Sequence, residues 1–360
     1  MEFFNASKAW TILLPSDVLY ANKAAADLSR YIGLLAGGIN NNSIHADGIG
    51  ASKTPVVDAS GPAPESAVIV LSSSAHGCER NGFCWRAGED RVEISGESDR
   101  GLCNGIYSFL AALGISWPAP GQEELPTQTT QATVKDASDA RLVPLASAGE
   151  IFGSEMEEPL IHLRRFVPAG KSEVKEFLNK GGIFVEWAAR RRYDALVFPL
   201  SAYASKSAGR KLEQLRQIAE EYGIVLEAGG RELSSLVPRR YFFLHRDFFR
   251  MDEGKRKKDH HFCPTNPDVT RLIAKEGGKL FRFAPETAVI HLWPDKGAET
   301  AWCSCPTCRA FSTLEQNRIA INAAADALAD RKVLISYFEK PGESGNIKPR
   351  KNTFSVNEIP

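Results

Sequence analysis

Three thiols crowd the segment "WCSCPTC" at Cys303, Cys305 and Cys308. Such spacing suits a tetrahedral metal, but a structural zinc takes four protein ligands. Cys263 supplies a fourth thiol upstream, with His260 and His261 as alternatives. The rival readings are a disulfide, or free thiols buried beneath a loop. Just before the thiols, the run "HLWPD" closes an apolar stretch on Trp293 and Asp295. An aromatic ring beside a carboxylate suits a sugar, because the ring covers an apolar sugar face and the acid meets a hydroxyl or gives a proton. The plainer reading of Asp295 is a helix cap or turn anchor.

Glycosidic cleavage needs two carboxyl groups, one protonated and one ionised. In parallel α/β sheets the carboxyl ends of the strands carry the chemistry. That rule selects Asp295, Glu227, and either Glu339 or Glu358. Asp295 is the leading catalytic candidate. Glu227 is a second acid or a hydroxyl acceptor, with an ion pair to Arg231 as its structural alternative. Glu358 ends a weak strand pattern. His291 reads as a hydrogen-bonded interior residue or a substrate contact, and Trp302 and Arg231 join Trp293 as candidate substrate contacts.

These residues need elements to position them. "WTILLP" (10–15) and "SAVIVLSS" (66–73) read as strands, the second buried on both faces. Leu28, Tyr31, Ile32 and Leu35 share a helix face, as do Leu102, Ile106, Phe109, Leu110 and Leu113. "FCWRAGEDRVEISG" reads as a hairpin, and 37–65 as loop. A polar, Pro/Thr-rich linker is expected at 127–140. Beyond it, strand and helix patterns alternate. "RLVPLAS" (141–147) or "PLIHLRRF" (159–166) begins the series, followed by a helix over 172–193. Strands are expected in "ALVFPL" (195–200), "IVLEAGG" (224–230), "TAVIHLWP" (287–294), "KVLISYF" (332–338) and "NTFSVNEI" (352–359), with a long loop at 231–268. The expectation is a small α/β domain over 1–126 and a parallel (β/α) TIM-type barrel over 141–360, incomplete at about six strands where a full barrel uses eight.

Composition narrows the function. The chain has 360 residues, with Lys plus Arg and Asp plus Glu both at 44, so no overall field draws in nucleic acid or an anionic membrane. The basic runs "ARRRYD" and "GKRKKDHH" are read as a solvated helix face and a loop. No P-loop or dinucleotide glycine fingerprint occurs. Seven cysteines without framework spacing favour a reducing compartment, and Cys78, Cys84 and Cys103 read as small buried apolar residues. A cytoplasmic location is expected from "MEFFNASKAW", which lacks a signal-peptide pattern; a trimmed secreted chain would read the same way. The expected partner is a carbohydrate, with no nucleic acid and no membrane. No cofactor is required, zinc being the one metal the thiols would take.

The stretch "DRVEISGESDRGLCNGIYSFLAALGISWPAPGQEELP" (90–126) resembles the N-terminal domain that precedes the barrel in α-glucuronidases and family 20 β-hexosaminidases. The matching positions are Gly96, Arg100-Gly101, Gly105, Tyr107, Gly114-Ile115, Trp117 and Pro120-Gly121. "YFFLHRDFFRM", "CPTNPDV", "HLWPDKG" and "WCSCPTCRAFSTLEQ" look like the uncharacterised glycoside-hydrolase-like barrel that often follows it. The resemblance implies a carbohydrate-active barrel in which Arg164 or Arg165 meets sugar hydroxyls, surface charge being the alternative. Two positions depart from family 20. The fourth strand there ends in Asp-Glu and here in Asp295-Lys296, while the third carries Gly-His and here Gly230-Arg231. The leading expectation is a glycoside hydrolase. The alternatives are a non-catalytic glycan binder or truncated homologue, and a zinc-stabilised scaffold or nucleic-acid module.

Overall fold

The computed structural model describes residues 8–36, 56–58, 67–73, 82–88, 90–126, 165–168, 170–281, 289–340 and 342–357. The chain forms two compact units that alternate along the sequence. One takes residues 1–164, 180–194 and 215–225; the other takes 165–179, 195–214 and 226–360. The expected linker at 127–140 and the strand pattern at 141–147 lie outside the described residues.

The first unit holds a five-stranded sheet in the order β2-β1-β3-β5-β4. Its strands are β1 (Thr11–Leu14), β2 (Val56–Asp58), β3 (Val68–Ser72), β4 (Phe83–Ala87) and β5 (Arg91–Gly96). The apolar runs at β1 and β3 become central parallel strands, and β4 folds back antiparallel on β5 as the hairpin pattern predicts. Val56–Asp58 corrects the expectation that 37–65 is all loop. Three residues are too few to show a period-two pattern.

Helices α1 (Ala21–Ala36) and α2 (Asp99–Ala112) bury the faces read from the sequence, Leu28, Tyr31 and Ile32 on one and Leu102, Ile106, Phe109 and Leu110 on the other. Ser98 caps α2 by accepting from the Gly101 amide at 3.0 Å. The Asp99 carboxylate accepts from the Leu19, Tyr20 and Ala21 amides at 2.5, 2.6 and 3.0 Å, at the start of α1, where a helix favours negative charge. A side chain at Gly96 would meet the Leu102 amide nitrogen at 2.0 Å, and Gly114 ends α2 at φ +88°. Trp117 donates to the Tyr31 hydroxyl at 2.7 Å, and buried Arg100 donates to the Tyr193 carbonyl at 2.8 Å. The motif at 90–126 is thus spent on packing and hydrogen bonding.

The second unit carries a six-stranded sheet in the order β6-β7-β8-β11-β12-β13. These are β6 (Arg165–Phe166), β7 (Ala195–Phe198), β8 (Val225–Gly230), β11 (Val289–Leu292), β12 (Leu334–Phe338) and β13 (Thr353–Val356). A short hairpin, β9 (Met251–Asp252) with β10 (Lys255–Arg256), lies between β8 and β11. The six strands follow sequence order with no reversal, which is the winding of a TIM-type barrel and not of a doubly wound sheet. Among the described residues the sheet holds six strands and does not close.

The helix expected over 172–193 is two, α3 (Lys171–Lys180) and α4 (Gly182–Arg190). Gly181 separates them at φ +53° and ψ −119°, a conformation no helix interior accepts. The connections also carry α5 (Leu200–Ala204), α6 (Lys206–Glu220), α7 (Pro267–Leu280) and α8 (Thr313–Asp326). The long loop read at 231–268 contains the β9–β10 hairpin and 3-10 turns at Leu233–Leu236, Arg239–Phe243 and Arg246–Phe248. No helix among the described residues is long and apolar enough to cross a membrane.

Candidate active site

Side chains alternate between the two faces of a strand. On the second sheet Ala228, Ile290, Leu292, Ile335 and Tyr337 take one face and join a core with Ile273 of α7 and Ile321 of α8. The alternate positions, Glu227, His291 and Ser336, point to the other face. Pairing of His291 with Gly229 on β8 and with Ser336 on β12 sets them side by side.

There they form one hydrogen-bonded ladder. Arg165 donates to Glu227 at 2.6 Å through Nε and 3.2 Å through Nη2. Glu227 also meets His291 Nε2 at 2.8 Å, and His291 Nδ1 lies 2.5 Å from Ser336 Oγ. Ser336 Oγ accepts from Trp293 Nε1 at 2.9 Å. One protonation pattern satisfies every member: Arg165 charged, Glu227 ionised, His291 neutral with its proton on Nε2, and the Ser336 hydroxyl donating to Nδ1. Burial opposes the Glu227 charge, yet His291 and Arg165 hold its pKa below the ordinary value. Burial keeps His291 below its own.

A second cluster sits just past the strand ends and is left incomplete. Glu232 follows β8 by two residues and accepts from the Leu200 amide, after β7, at 2.6 Å. Asp295 follows β11 by three residues, close enough to Glu232 for their charges to interact. Burial and the Asp295 charge push Glu232 up to about 7 against one backbone donor. Arg239 and His261 also feel Asp295. The fully buried His261 ring lies against Trp302, with centroids 4.3 Å apart and planes 16° from parallel. Its Nε2 is 2.8 Å from the Ala298 carbonyl, and burial lowers its pKa to about 4. Nε2 therefore donates and Nδ1 is left as an acceptor. Asp295 Oδ1, Arg239 Nη1 and His261 Nδ1 are all buried with no hydrogen-bond partner among the described residues. Buried polar atoms are seldom left so. Two acceptors, one donor and a carboxyl that carries a proton near neutrality form a set that a polyhydroxylated ligand would complete.

A third cluster joins Cys263, Cys303, Cys305 and Cys308, all buried, with sulfurs within 4.8 Å of one another. Among the described residues these four could hold a metal. Gln316 of α8 accepts from the Cys303 amide at 3.1 Å and donates to the Cys308 carbonyl at 3.2 Å, fixing both ends of the thiol loop. His260 and His261 are not among the four, since His261 turns to Ala298.

Several expectations change. Glu227 lies within β8 rather than at its end, and its partner is Arg165; Arg231 instead reaches Glu299 at 2.8 Å. Trp293 is 1 % exposed and spent on Ser336, so its ring is no open platform. Trp302, 6 % exposed, backs His261. Glu339 accepts from Arg318 Nη2 with both carboxylate oxygens, each at 2.9 Å. Glu358 and Arg164 lie outside the described residues. Glu232, Arg239 and His261 were not singled out as active-site groups. The strand expected over 224–230 ends where β8 ends, at Gly230, and Glu232 lies two residues beyond that end.

Strands in sequence order with acids beyond their carboxyl ends define a (β/α)-barrel-type protein. No family model and no curated protein matches its sequence. Among solved structures the chain is similar to the family 20 β-N-acetylhexosaminidase of Streptomyces coelicolor A3(2), at 10 % identity over 98 % of this chain and 66 % of that chain, TM-score 0.46. It is similar to a mutant Streptomyces plicatus β-hexosaminidase in complex with GlcNAc, at 12 % identity over 98 % and 64 %, TM-score 0.49. A family 20 exo-β-N-acetylglucosaminidase mutant from Vibrio harveyi aligns at 12 % identity over 99 % and 58 %, TM-score 0.46. The chain thus spans 58 to 66 % of the length of these proteins.

Proposed function

We propose that the second unit cleaves a glycosidic bond, with Glu232 as general acid and Asp295 as its ionised partner. The observation that supports this is the pair itself: two neighbouring carboxyl groups past adjacent strand ends, in environments that differ. Glu232 gives its proton to the leaving oxygen as the C–O bond breaks, and the alcohol departs neutral. The Asp295 charge faces the cationic sugar carbon, to which water then adds, and the proton lost by that water restores the acid. Arg239 and His261 supply a donor and an acceptor to ring hydroxyls, and Trp302 holds the His261 ring in place.

The test is turnover by the purified chain on a panel of aryl glycosides. The reading expects hydrolysis of at least one, falling about 10²–10⁴-fold in Glu232→Gln. The alkaline limb of kcat/KM should lie near pH 7 in the unaltered chain, where Glu232 loses its proton. Sugar binding with no turnover would remove the catalytic claim, and activity unchanged in Glu232→Gln would remove the assignment of the acid.

A further inference from the structure

Four cysteines from two separate loops meet in one buried cluster. Cys263 lies 3.7 Å from Cys305 and 3.6 Å from Cys308, sulfur to sulfur. A disulfide would need about 2.0 Å, and all four are free thiols. A tetrahedral zinc with bonds of about 2.3 Å spaces its sulfurs about 3.8 Å apart. The two contacts of Cys263 match that edge length. With every pair inside 4.8 Å, the cluster has room for one ion rather than a multi-metal centre.

The surroundings fit thiolates. Cys303 accepts from the Met251 amide at 3.2 Å and from Arg256 Nη1 at 3.8 Å. Amide donors and a guanidinium stabilise the excess negative charge of four sulfurs around a dication. The backbone is held independently: Cys263 N donates to the Phe248 carbonyl at 2.8 Å, Ser304 N to the Met251 carbonyl at 2.8 Å, and Gln316 grips the loop from α8.

We propose that Cys263, Cys303, Cys305 and Cys308 bind a single structural zinc ion that fastens the loop after β8 to the loop after β11. The site is closed, with four protein ligands and no open position, so the metal supports and does not react. Its place gives it a purpose. Cys263 is two residues from His261, and Cys303 adjoins Trp302, so the ion pins together the two rings stacked beside Asp295. Zinc binding does not depend on the glycosidase reading, and either can fail alone.

The experiment measures metal in the unaltered full chain, purified under reducing conditions without added metal. Elemental analysis should find about one zinc per chain. Titration of the native protein with a mercurial should release that zinc as four thiols react. Cobalt exchange should give the intense sulfur-to-cobalt absorption of a tetrahedral thiolate site. Chelation should lower Tm by about 10 °C or more, since zinc binding is coupled to folding. Cys305→Ser with Cys308→Ser should leave less than about a tenth of the zinc, and Cys84→Ser should leave it all. Four reactive thiols with no metal, or a cysteine pair joined by a disulfide, would overturn the proposal, and so would iron in place of zinc. Because release and exchange are read on the unaltered chain, a misfolded variant does not decide the outcome.

Discussion

Glu227 and Glu232 stand five residues apart on one strand and its exit, and both are largely removed from solvent. They end in opposite states. Glu227 has Arg165 and His291 as partners, so it stays ionised below its ordinary value. Glu232 has only one amide donor to set against burial and the Asp295 charge, so it is pushed up to about 7. The first belongs to a network in which each donor has its acceptor. The second belongs to a group with three buried polar atoms left over. A satisfied buried network specifies structure, whereas an unsatisfied one costs stability and is retained for a ligand or a reaction. The difference separates the support from the site more sharply than residue type does.

The largest effect should follow from breaking the ladder. Glu227→Leu leaves the Arg165 guanidinium buried without its carboxylate, and one-sided removal of a buried ion pair costs about 3–5 kcal/mol. Arg165→Met added to Glu227→Leu should recover much of that loss, because no lone charge remains. Urea unfolding of the three proteins checks both steps. A single-variant loss under about 1 kcal/mol would mean that the ladder is not the support described here.

Glu232 should give the next largest effect, through pH. Its folded value of about 7 lies above its ordinary 4.5, so the folded state holds the proton more tightly. Its contribution is complete below pH 4.5 and is lost as pH rises through about 7, a change on the order of 3 kcal/mol. Glu227 has the opposite sign: its pKa is lowered, so its contribution is present above pH 4.5 and lost as pH falls. The stability of the unaltered chain minus that of Glu232→Gln should therefore decline between pH 4.5 and 7. A flat difference would show Glu232 to be solvated and remove its claim to be an acid.

The contrast also marks what the sequence could tell. The apolar runs at β3 and β11 announce strands because their patterns are strong and local. The hairpin at β4–β5 and the faces of α1 and α2 are legible for the same reason. Cys263 could be named as a fourth thiol because cysteines are few and its loop was placed near the others. The Glu227 partner was not legible, since Arg165 lies 62 residues away and Arg231 only four. Trp293 looked like a platform because its type suits sugars, but alternation along β11 turns it towards Ser336. Nothing local distinguished Glu232, because its raised pKa comes from burial in the fold and, to a lesser degree, from Asp295, 63 residues on.

Ser336 lets the ladder be weakened without touching a charge. Ser336→Ala removes the acceptor of Trp293 Nε1 and the partner of His291 Nδ1, leaving two buried polar atoms unpaired. The expected cost is about 1–3 kcal/mol. Urea midpoints at a pH near 7 measure it, and Ser336→Thr, which keeps the hydroxyl, should restore most of it if the site tolerates the methyl.

The smallest effect on stability should come from Asp295, and that smallness is the point. Its Oδ1 is buried without a partner among the described residues, and its charge burdens Glu232 while favouring Arg239, so Asp295→Asn removes a repulsion together with an attraction and breaks no hydrogen bond among the described residues. Stability near pH 7 should stay level or rise, as it does when a strained functional group is neutralised. Glu232 should then lose the part of its shift that Asp295 supplies while burial still holds it up, carrying the alkaline limb of the pH–rate profile somewhat lower. Turnover should fall about 10²–10⁴-fold even though the protein is no less stable. A marked loss of stability would place Asp295 with Glu227 among the supports, and the distinction between the two clusters would collapse.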